Sequence, residues 1–235
     1  MTNFGTTMIT GASSGIGEAT ALHLASLGGR CLILGGRDVD RLETVASTCR
    51  SHGCRVATVQ GDLATRPGLA AVKAAMTREA KIDVLVNAAG WGAFAPPAKL
   101  NPETFHKILQ VNLSAAFELC CHAAGLMQSG GTIVNVSSDA DYVGFPGASA
   151  YCASKGGLLM MSRALREDLR PAGIRVCVVS PGRVDTRFNG KTPGMRPGAL
   201  RADEVAEAIV FAICCSSNID IQELRLDSMS RLSAS

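Results

Sequence analysis

The stretch "TGASSGIG" (residues 10–17) joins a short apolar run, "TMIT" (7–10), to a helical pattern continuing through "EATALHLASLG". Its glycines, Gly11, Gly15 and Gly17, are spaced GxxxGxG and not GxGxxG. Glycine lets a backbone turn sharply and approach a ligand closely. The first turn of a helix adds unpaired N–H groups at the positive end of its dipole. Such a turn between strand and helix suits a pyrophosphate. Ser13 and Ser14 contribute hydroxyls, and Ile16 lies between the last two glycines. Incidental glycines at a helix start are the plainer explanation, but the position in the first strand–helix unit favours a dinucleotide.

Outward from this turn, apolar runs alternate with longer helical patterns. Strands are expected at "CLILG" (31–35), "RVATVQ" (55–60), "IDVLVNAAG" (82–90), "GTIVNVSS" (131–138) and "IRVCVVSPG" (174–182), with a last one at "IQELRLD" (221–227). Helical patterns fill the intervals. One runs unbroken from Asn101–Pro102 to about Met127, another from 149 to 170, where Pro171 stops it, and another through "ADEVAEAIVFAICCS". Apolar strands with helical crossovers predict an α/β fold, a doubly wound parallel sheet covered on both faces. No linker or repeat divides the chain, so residues 1–235 are expected to form one domain. The Gly- and Pro-rich stretch 187–202 follows a strand end and reads as a mobile lid over a site. The tail "RLSAS" (231–235) is expected to fray.

Composition narrows the function. The chain is 47% hydrophobic and 18% charged, which argues against disorder. Its net charge of +3 is spread without a basic run, which argues against nucleic acid or a membrane surface as main partner. No uncharged apolar stretch of ~18 residues reads as a membrane span. Nothing at the start resembles a secretory signal, so the cytosol is the expected location. The nine cysteines show no CxxC and no zinc spacing with histidine, so buried thiols in a reducing compartment are favoured. His23, His52, His106 and His122 lie in helical patterns without metal-ligand spacing, and no metal site is expected.

The end of the second strand reads "LILGGRD". An NAD site usually carries an acidic residue there for the ribose 2′-hydroxyl. Here two glycines leave room and Arg37 brings a planar cation suited to a phosphate, so NADP(H) is expected over NAD(H). Asp38 is assigned instead to capping the next helix. In "YCASK" (151–155), Tyr151 and Lys155 are four residues apart and leave one helix face. Alone this is a weak pattern, equally that of an ordinary surface pair.

Seven segments in order and spacing resemble the short-chain dehydrogenase/reductase family over nearly the whole chain. They are "TGASSGIG", "GDL" (61–63), "NAAG" (87–90), "QVNLSAAF" around Asn112, "IVNVSS" (133–138), "YCASK" and "SPGRVDT" (180–186). The resemblance implies a Rossmann-type sheet of order 3-2-1-4-5-6-7 and a catalytic set of Asn112, Ser138, Tyr151 and Lys155. Tyr151 would exchange a proton with the substrate oxygen; Lys155 and the cationic nicotinamide of the oxidised cofactor would both lower its pKa, and Lys155 would bind the nicotinamide ribose. Ser138, favoured over Ser137, would hold the substrate oxygen, and Asn112 would anchor a water. Asp62 and Leu63 match the segment contacting adenine, and Asn87, Ala88 and Gly90 the turn beneath the adenosine half. Pro181, Gly182, Val184 and Thr186 match the loop positioning the nicotinamide. The implied activity is NADP(H)-dependent interconversion of a small carbonyl compound and a secondary alcohol, in a homodimer or homotetramer.

Two other functions remain open on these residues. Arg183, Arg187, Lys191 and Arg196 near the lid allow a reductase of 3-oxoacyl thioesters, and a silent NADP-sensing protein would keep the fold without turnover. Trp91, Phe94, Tyr142, Phe145, Phe188 and Met195 are candidates for an apolar substrate pocket or for core packing. Asp139 and Asp141 either recognise a polar substrate or are solvated, and Met160–Met161 are assigned to core or subunit packing.

Overall fold

The computed structural model describes residues 4–216 and 218–230, so the tail 231–235 lies outside the described residues. The strands are β1 (Thr6–Thr10), β2 (Cys31–Gly36), β3 (Arg55–Gln60), β4 (Val84–Asn87), β5 (Thr132–Val136), β6 (Arg175–Pro181) and β7 (Glu223–Leu226). They form one parallel sheet in the order 3-2-1-4-5-6-7, as the resemblance implies. The helices are α1 (Gly15–Ser26), α2 (Val39–Ser51), α3 (Arg66–Arg78), α4 (Pro102–Leu109), α5 (Ala115–Ala124), α6 (Ser149–Leu169) and α7 (Ala202–Cys214). No helix among the described residues is long and apolar enough to cross a membrane.

Successive strand residues face opposite sides, and the register aligns them in rows. Met8, Ile33, Leu85, Ile133 and Val176 pack on α3 and α5. Ile9, Leu34, Val86, Val134 and Cys177 pack on α1, α2 and α7. This is why the central strands are apolar throughout. The edge strand β3 departs from that pattern, because one side of it has no neighbour and Arg55, Ala57, Thr58 and Gln60 are exposed.

Local chemistry starts the helices. Asp38 caps α2 by accepting the Arg41 backbone N–H at 3.2 Å, Thr65 caps α3 through Gly68 N–H at 3.2 Å, and Asn101 caps α4 through Thr104 N–H at 2.8 Å. The unbroken helix expected from Asn101 to about Met127 is interrupted: α4 and α5 flank a π-helical turn at Gln110–Ser114. Such a turn inserts a residue without ending the helix, so periodicity alone does not reveal it, and these turns often mark functional sites. Asn112 sits within it.

Candidate active site

A cleft of about 490 Å³ opens at the carboxyl ends of the central strands, where open α/β sheets bind ligands. The turn after β1 supplies Gly11, Ser13, Ser14, Gly15 and Ile16, and the end of β2 supplies Gly36 and Arg37. Asp62 and Leu63 follow β3, Ala88 and Gly90 follow β4, and Tyr151, Lys155 and Thr186 close the far end. A second cavity of about 440 Å³ adjoins it, lined by Ser138, Pro181, Gly182 and Val184 among others. Ile16, Ser137, Tyr151, Thr186 and Phe188 border both.

The glycine turn is shaped for close approach. Gly11 has φ +68°, and a Cβ there would lie 2.8 Å from the Ala89 backbone nitrogen. A Cβ on Gly17 would lie 2.4 Å from the Gly11 carbonyl oxygen. Gly17 thus shapes the turn from behind and does not line the cleft. Ser14 gives α1 no side-chain cap, so first-turn N–H groups are open to an anion. Arg37 lines the cleft, while Asp38 is engaged as the α2 cap. The donors, the glycine cradle and the cation at the β2 end fit a phosphorylated dinucleotide.

Asn87 departs from its expected place. It is 5% exposed, and its Nδ2 donates to Asn135 Oδ1 at 2.9 Å in the core. Asn135 in turn donates to Ser162 Oγ on α6 at 2.9 Å. The Asn87 side chain is therefore a strut between β4, β5 and α6 and not a lining group. Asn135 stands inside "IVNVSS" with no role implied by the resemblance, and Ser162 lies outside all seven segments. A polar residue inside an otherwise apolar strand is the signal that marks such a strut.

The catalytic candidates converge where the cavities meet. Tyr151 lies between Phe94 and Phe188, each ring centroid 5.7 Å from its own. Lys155 is 4% exposed; its Nζ donates to the Val136 carbonyl at 2.8 Å and stands 5.8 Å from the Tyr151 ring centroid. Ser138 Oγ donates to Asp139 Oδ1 at 2.9 Å and accepts the Ala140 N–H at 3.3 Å. The neighbouring Ser137 hydroxyl is buried without a partner among the described residues.

Burial governs the electrostatics of this pair. Burial pushes the Tyr151 phenol up to about 12, hydrogen bonding with Ser138 opposes this, and the charges of Asp139 and Asp141 reinforce it. Burial pushes the Lys155 ammonium down to about 8, with Asp141 pulling it back up. Lys155 is not among the groups that shift Tyr151 in the protein alone, and the expected lowering also draws on the charge of the oxidised nicotinamide. Lys155 is buried and Tyr151 half-buried, and desolvation disfavours the charged form of each.

Asn112 ties two elements together. Its Nδ2 donates to the Trp91 carbonyl at 2.8 Å and to Ser154 Oγ at 3.0 Å, and its Oδ1 accepts the Trp91 N–H at 2.9 Å. The side chain clamps the loop after β4 with both amide hydrogens and one lone pair of Oδ1.

Of the aromatic candidates, Trp91 and Phe188 line the first cavity and Phe94 and Phe145 the second. Tyr142 stacks under Arg225 at 4.2 Å, and Met195 is 74% exposed, so neither lines a cavity. Asp141 accepts Ser180 Oγ–H at 2.6 Å and is not simply solvated. Lys107, Val111, Arg187 and Asn189 also line the first cleft; of these, Lys107 and Asn189 belong to no motif. The stretch 187–202 is folded down: Asn189 Oδ1 accepts the Gly92 N–H at 3.2 Å, and Leu200–Arg201 pairs with Val184–Asp185. All nine cysteines are free, and no group of His, Cys, Asp or Glu among the described residues could hold a metal.

A family model described as short chain dehydrogenase matches residues 5–196. The chain is 35% identical over 227 residues to 2-(R)-hydroxypropyl-CoM dehydrogenase of Xanthobacter autotrophicus, covering 87% of this chain and 89% of that one. It is 35% identical over 225 residues to D-threitol dehydrogenase of Mycolicibacterium smegmatis, covering 87% and 84%. Among solved structures, an alcohol dehydrogenase of Thermococcus sibiricus complexed with 5-hydroxy-NADP is similar with a TM-score of 0.88 at 30% identity, covering 97% of both chains. A short chain dehydrogenase of Burkholderia cenocepacia in complex with NADP is similar with a TM-score of 0.88 at 28% identity, covering 98% and 99%.

Proposed function

Because the chain belongs to the short chain dehydrogenase family of oxidoreductases, we propose that it interconverts a carbonyl compound and a secondary alcohol with NADP(H), using Tyr151 as acid and base. The observation that carries this reading is the convergence of Tyr151, Ser138 and Lys155 at the junction of two cavities, one fitted to a dinucleotide.

When bound, the nicotinamide supplies or accepts the hydride. Gly11, Ser13, Ser14, Gly15 and Ile16 would cradle the pyrophosphate, with Gly17 shaping that turn. Asp62, Leu63, Ala88 and Gly90 would border the adenosine half, braced from the core by Asn87. Arg37 would pair with the 2′-phosphate, and Pro181, Gly182, Val184 and Thr186 would flank the nicotinamide. Complexes of similar structures with NADP and 5-hydroxy-NADP support the choice of cofactor.

A phenol held at about 12 keeps its proton at neutral pH. Tyr151 is therefore ready as the acid that protonates a carbonyl oxygen, which is the direction of reduction. Alcohol oxidation needs the phenolate, and the Lys155 ammonium, still largely charged near neutral pH, is the nearby group that would stabilise it. Ser138 directs its own proton at Asp139 and so offers Oγ as an acceptor, suited to the hydroxyl of an alcohol or of Tyr151. Asn112 holds Trp91, and with it the floor of the cleft, in place.

Five of the nine free thiols are buried, which fits the cytosolic location favoured by the sequence. Phe117 on α5 and Met160 on α6 expose apolar surface suited to a homodimer or homotetramer.

The test is oxidation of NADPH across ketones, aldehydes and acyl thioesters, with Tyr151→Phe as control. The variant is expected to bind NADPH normally, keep its packing between Phe94 and Phe188, and lose turnover by about a hundredfold or more. Near-normal turnover in Tyr151→Phe would remove the acid–base role.

A further inference from the structure

The second cavity carries a charge pattern that the hydride chemistry does not require. Its wall combines Phe94 and Phe145 with three cations, Arg183, Lys191 and Arg196, against a single carboxylate, Asp139. That carboxylate already accepts the Ser138 Oγ–H at 2.9 Å. None of the three cations is in an ion pair with a carboxylate among the described residues. Cations on a protein surface are usually solvated, but Arg196 is only half-exposed, and its Nη2 is buried without a hydrogen-bond partner. That nitrogen has no solvent-accessible surface, so an anion in the cavity would meet the rest of the Arg196 side chain that lines it.

The fold holds this arrangement in place. The dipeptide ladder between Val184–Asp185 and Leu200–Arg201 closes the loop that carries Lys191 and Arg196. The Leu200 N–H donates to the Arg183 carbonyl at 2.9 Å, and Arg196 Nη1 donates to the Val184 carbonyl. Nη1 is thus spent on positioning the side chain, and Nη2 has no protein acceptor.

We propose that this cavity selects a small carbonyl compound bearing an anionic group, a carboxylate or phosphate, with the anion on Arg196, Arg183 and Lys191 and an apolar spacer against Phe94 and Phe145. The proposal rests on the oxidoreductase reading for the reacting end of the substrate and adds the identity of the other end. A cavity of about 440 Å³ is at the small end of ligand pockets, which favours a free metabolite over a bulky carrier arm. Charge-assisted bonds from a planar guanidinium to an oxyanion are the strong kind, so the preference is expected to be large.

The experiment uses the purified full chain with NADPH and three substrates matched at the carbonyl: an oxo carboxylate, its methyl ester and the corresponding acyl thioester of pantetheine phosphate. Wild type is expected to favour the carboxylate over the ester by about tenfold or more in kcat/KM. In Arg196→Gln and in Arg183→Gln/Lys191→Gln that ratio is expected to fall towards one. In parallel, calorimetric titration of the carboxylate and the ester into the NADPH-loaded protein reads the preference without turnover. Equal kcat/KM for acid and ester together with equal affinity would overturn the anion assignment. So would a ratio that the variants leave unchanged. A preference for the phosphorylated thioester over the oxo carboxylate would overturn the small-substrate assignment and restore the acyl-thioester function. If nothing turns over but the acid binds tighter than the ester and loses that advantage in Arg196→Gln, the anion site stands and the oxidoreductase reading falls.

Discussion

Replacing Lys155 with methionine separates what the amine does for chemistry from what it does to the fold. The side chain is 4% exposed, and burial pushes its pKa from 10.5 down to about 8. At 1.36 kcal/mol per pKa unit, keeping that amine charged costs the native state about 3 kcal/mol at pH 7. The sign follows from proton binding. The unfolded chain holds the Lys155 proton up to pH 10.5 and the folded chain releases it near 8, so this penalty is complete below 8 and relieved as pH rises to 10.5. Against it stands the bond from Nζ to the Val136 carbonyl at 2.8 Å. Its loss leaves a buried acceptor unpaired, at about 1–3 kcal/mol. Lys155→Met is therefore expected to be as stable as wild type at pH 7, or more stable by up to about 2 kcal/mol. Above pH 10.5 it should be the less stable protein by about 1–3 kcal/mol. Urea unfolding of both proteins at pH 7, 9 and 10.5 measures this difference, in which the other titrating groups cancel. Turnover should be lost throughout. A difference that stays flat with pH, or a variant weaker by several kcal/mol at pH 7, would refute the argument that burial governs this amine.

Two further outcomes are expected. Arg37→Ala should raise the KM for NADPH about tenfold or more and leave the KM for NADH nearly unchanged, since it removes a charge-assisted phosphate contact; initial rates with the two cofactors decide it, and parallel losses would oppose the 2′-phosphate assignment. Asn112→Ala removes three hydrogen bonds to Trp91 and Ser154, each worth about 1 kcal/mol, and for a chain of this length the Tm should fall by roughly 6–12 °C; a fall under about 2 °C in thermal unfolding would show that the clamp is not stabilising.

Much of the architecture was legible because its signals are local. Uniformly apolar runs such as "CLILG" and "IDVLV" announce strands covered on both faces, and the caps Asp38, Thr65 and Asn101 mark helix starts by side-chain chemistry alone. The cleft residues around Gly11, Arg37 and Asp62 were legible for a related reason: they sit immediately after strand ends, which a parallel sheet brings to one edge. The π-helical turn at Gln110–Ser114 was not, because both flanking helices keep the same apolar periodicity. Asn87 shares a motif with Ala88 and Gly90 but points into the core, since alternate residues of a strand face opposite ways and its neighbour Asn135 offers an acceptor there.

The amino-acid sequence by itself determined a parallel α/β sheet, a glycine turn fitted to a phosphate-bearing ligand, and the pairing of a tyrosine with a lysine on one helix face. The tertiary structure alone decided how far each is desolvated, with burial driving Tyr151 up to about 12 and Lys155 down to about 8 in the protein by itself. It alone gathered Arg183, Lys191 and Arg196 around one cavity. Periodicity and capping act over a few residues, whereas desolvation and clustered charge depend on what distant segments exclude from water.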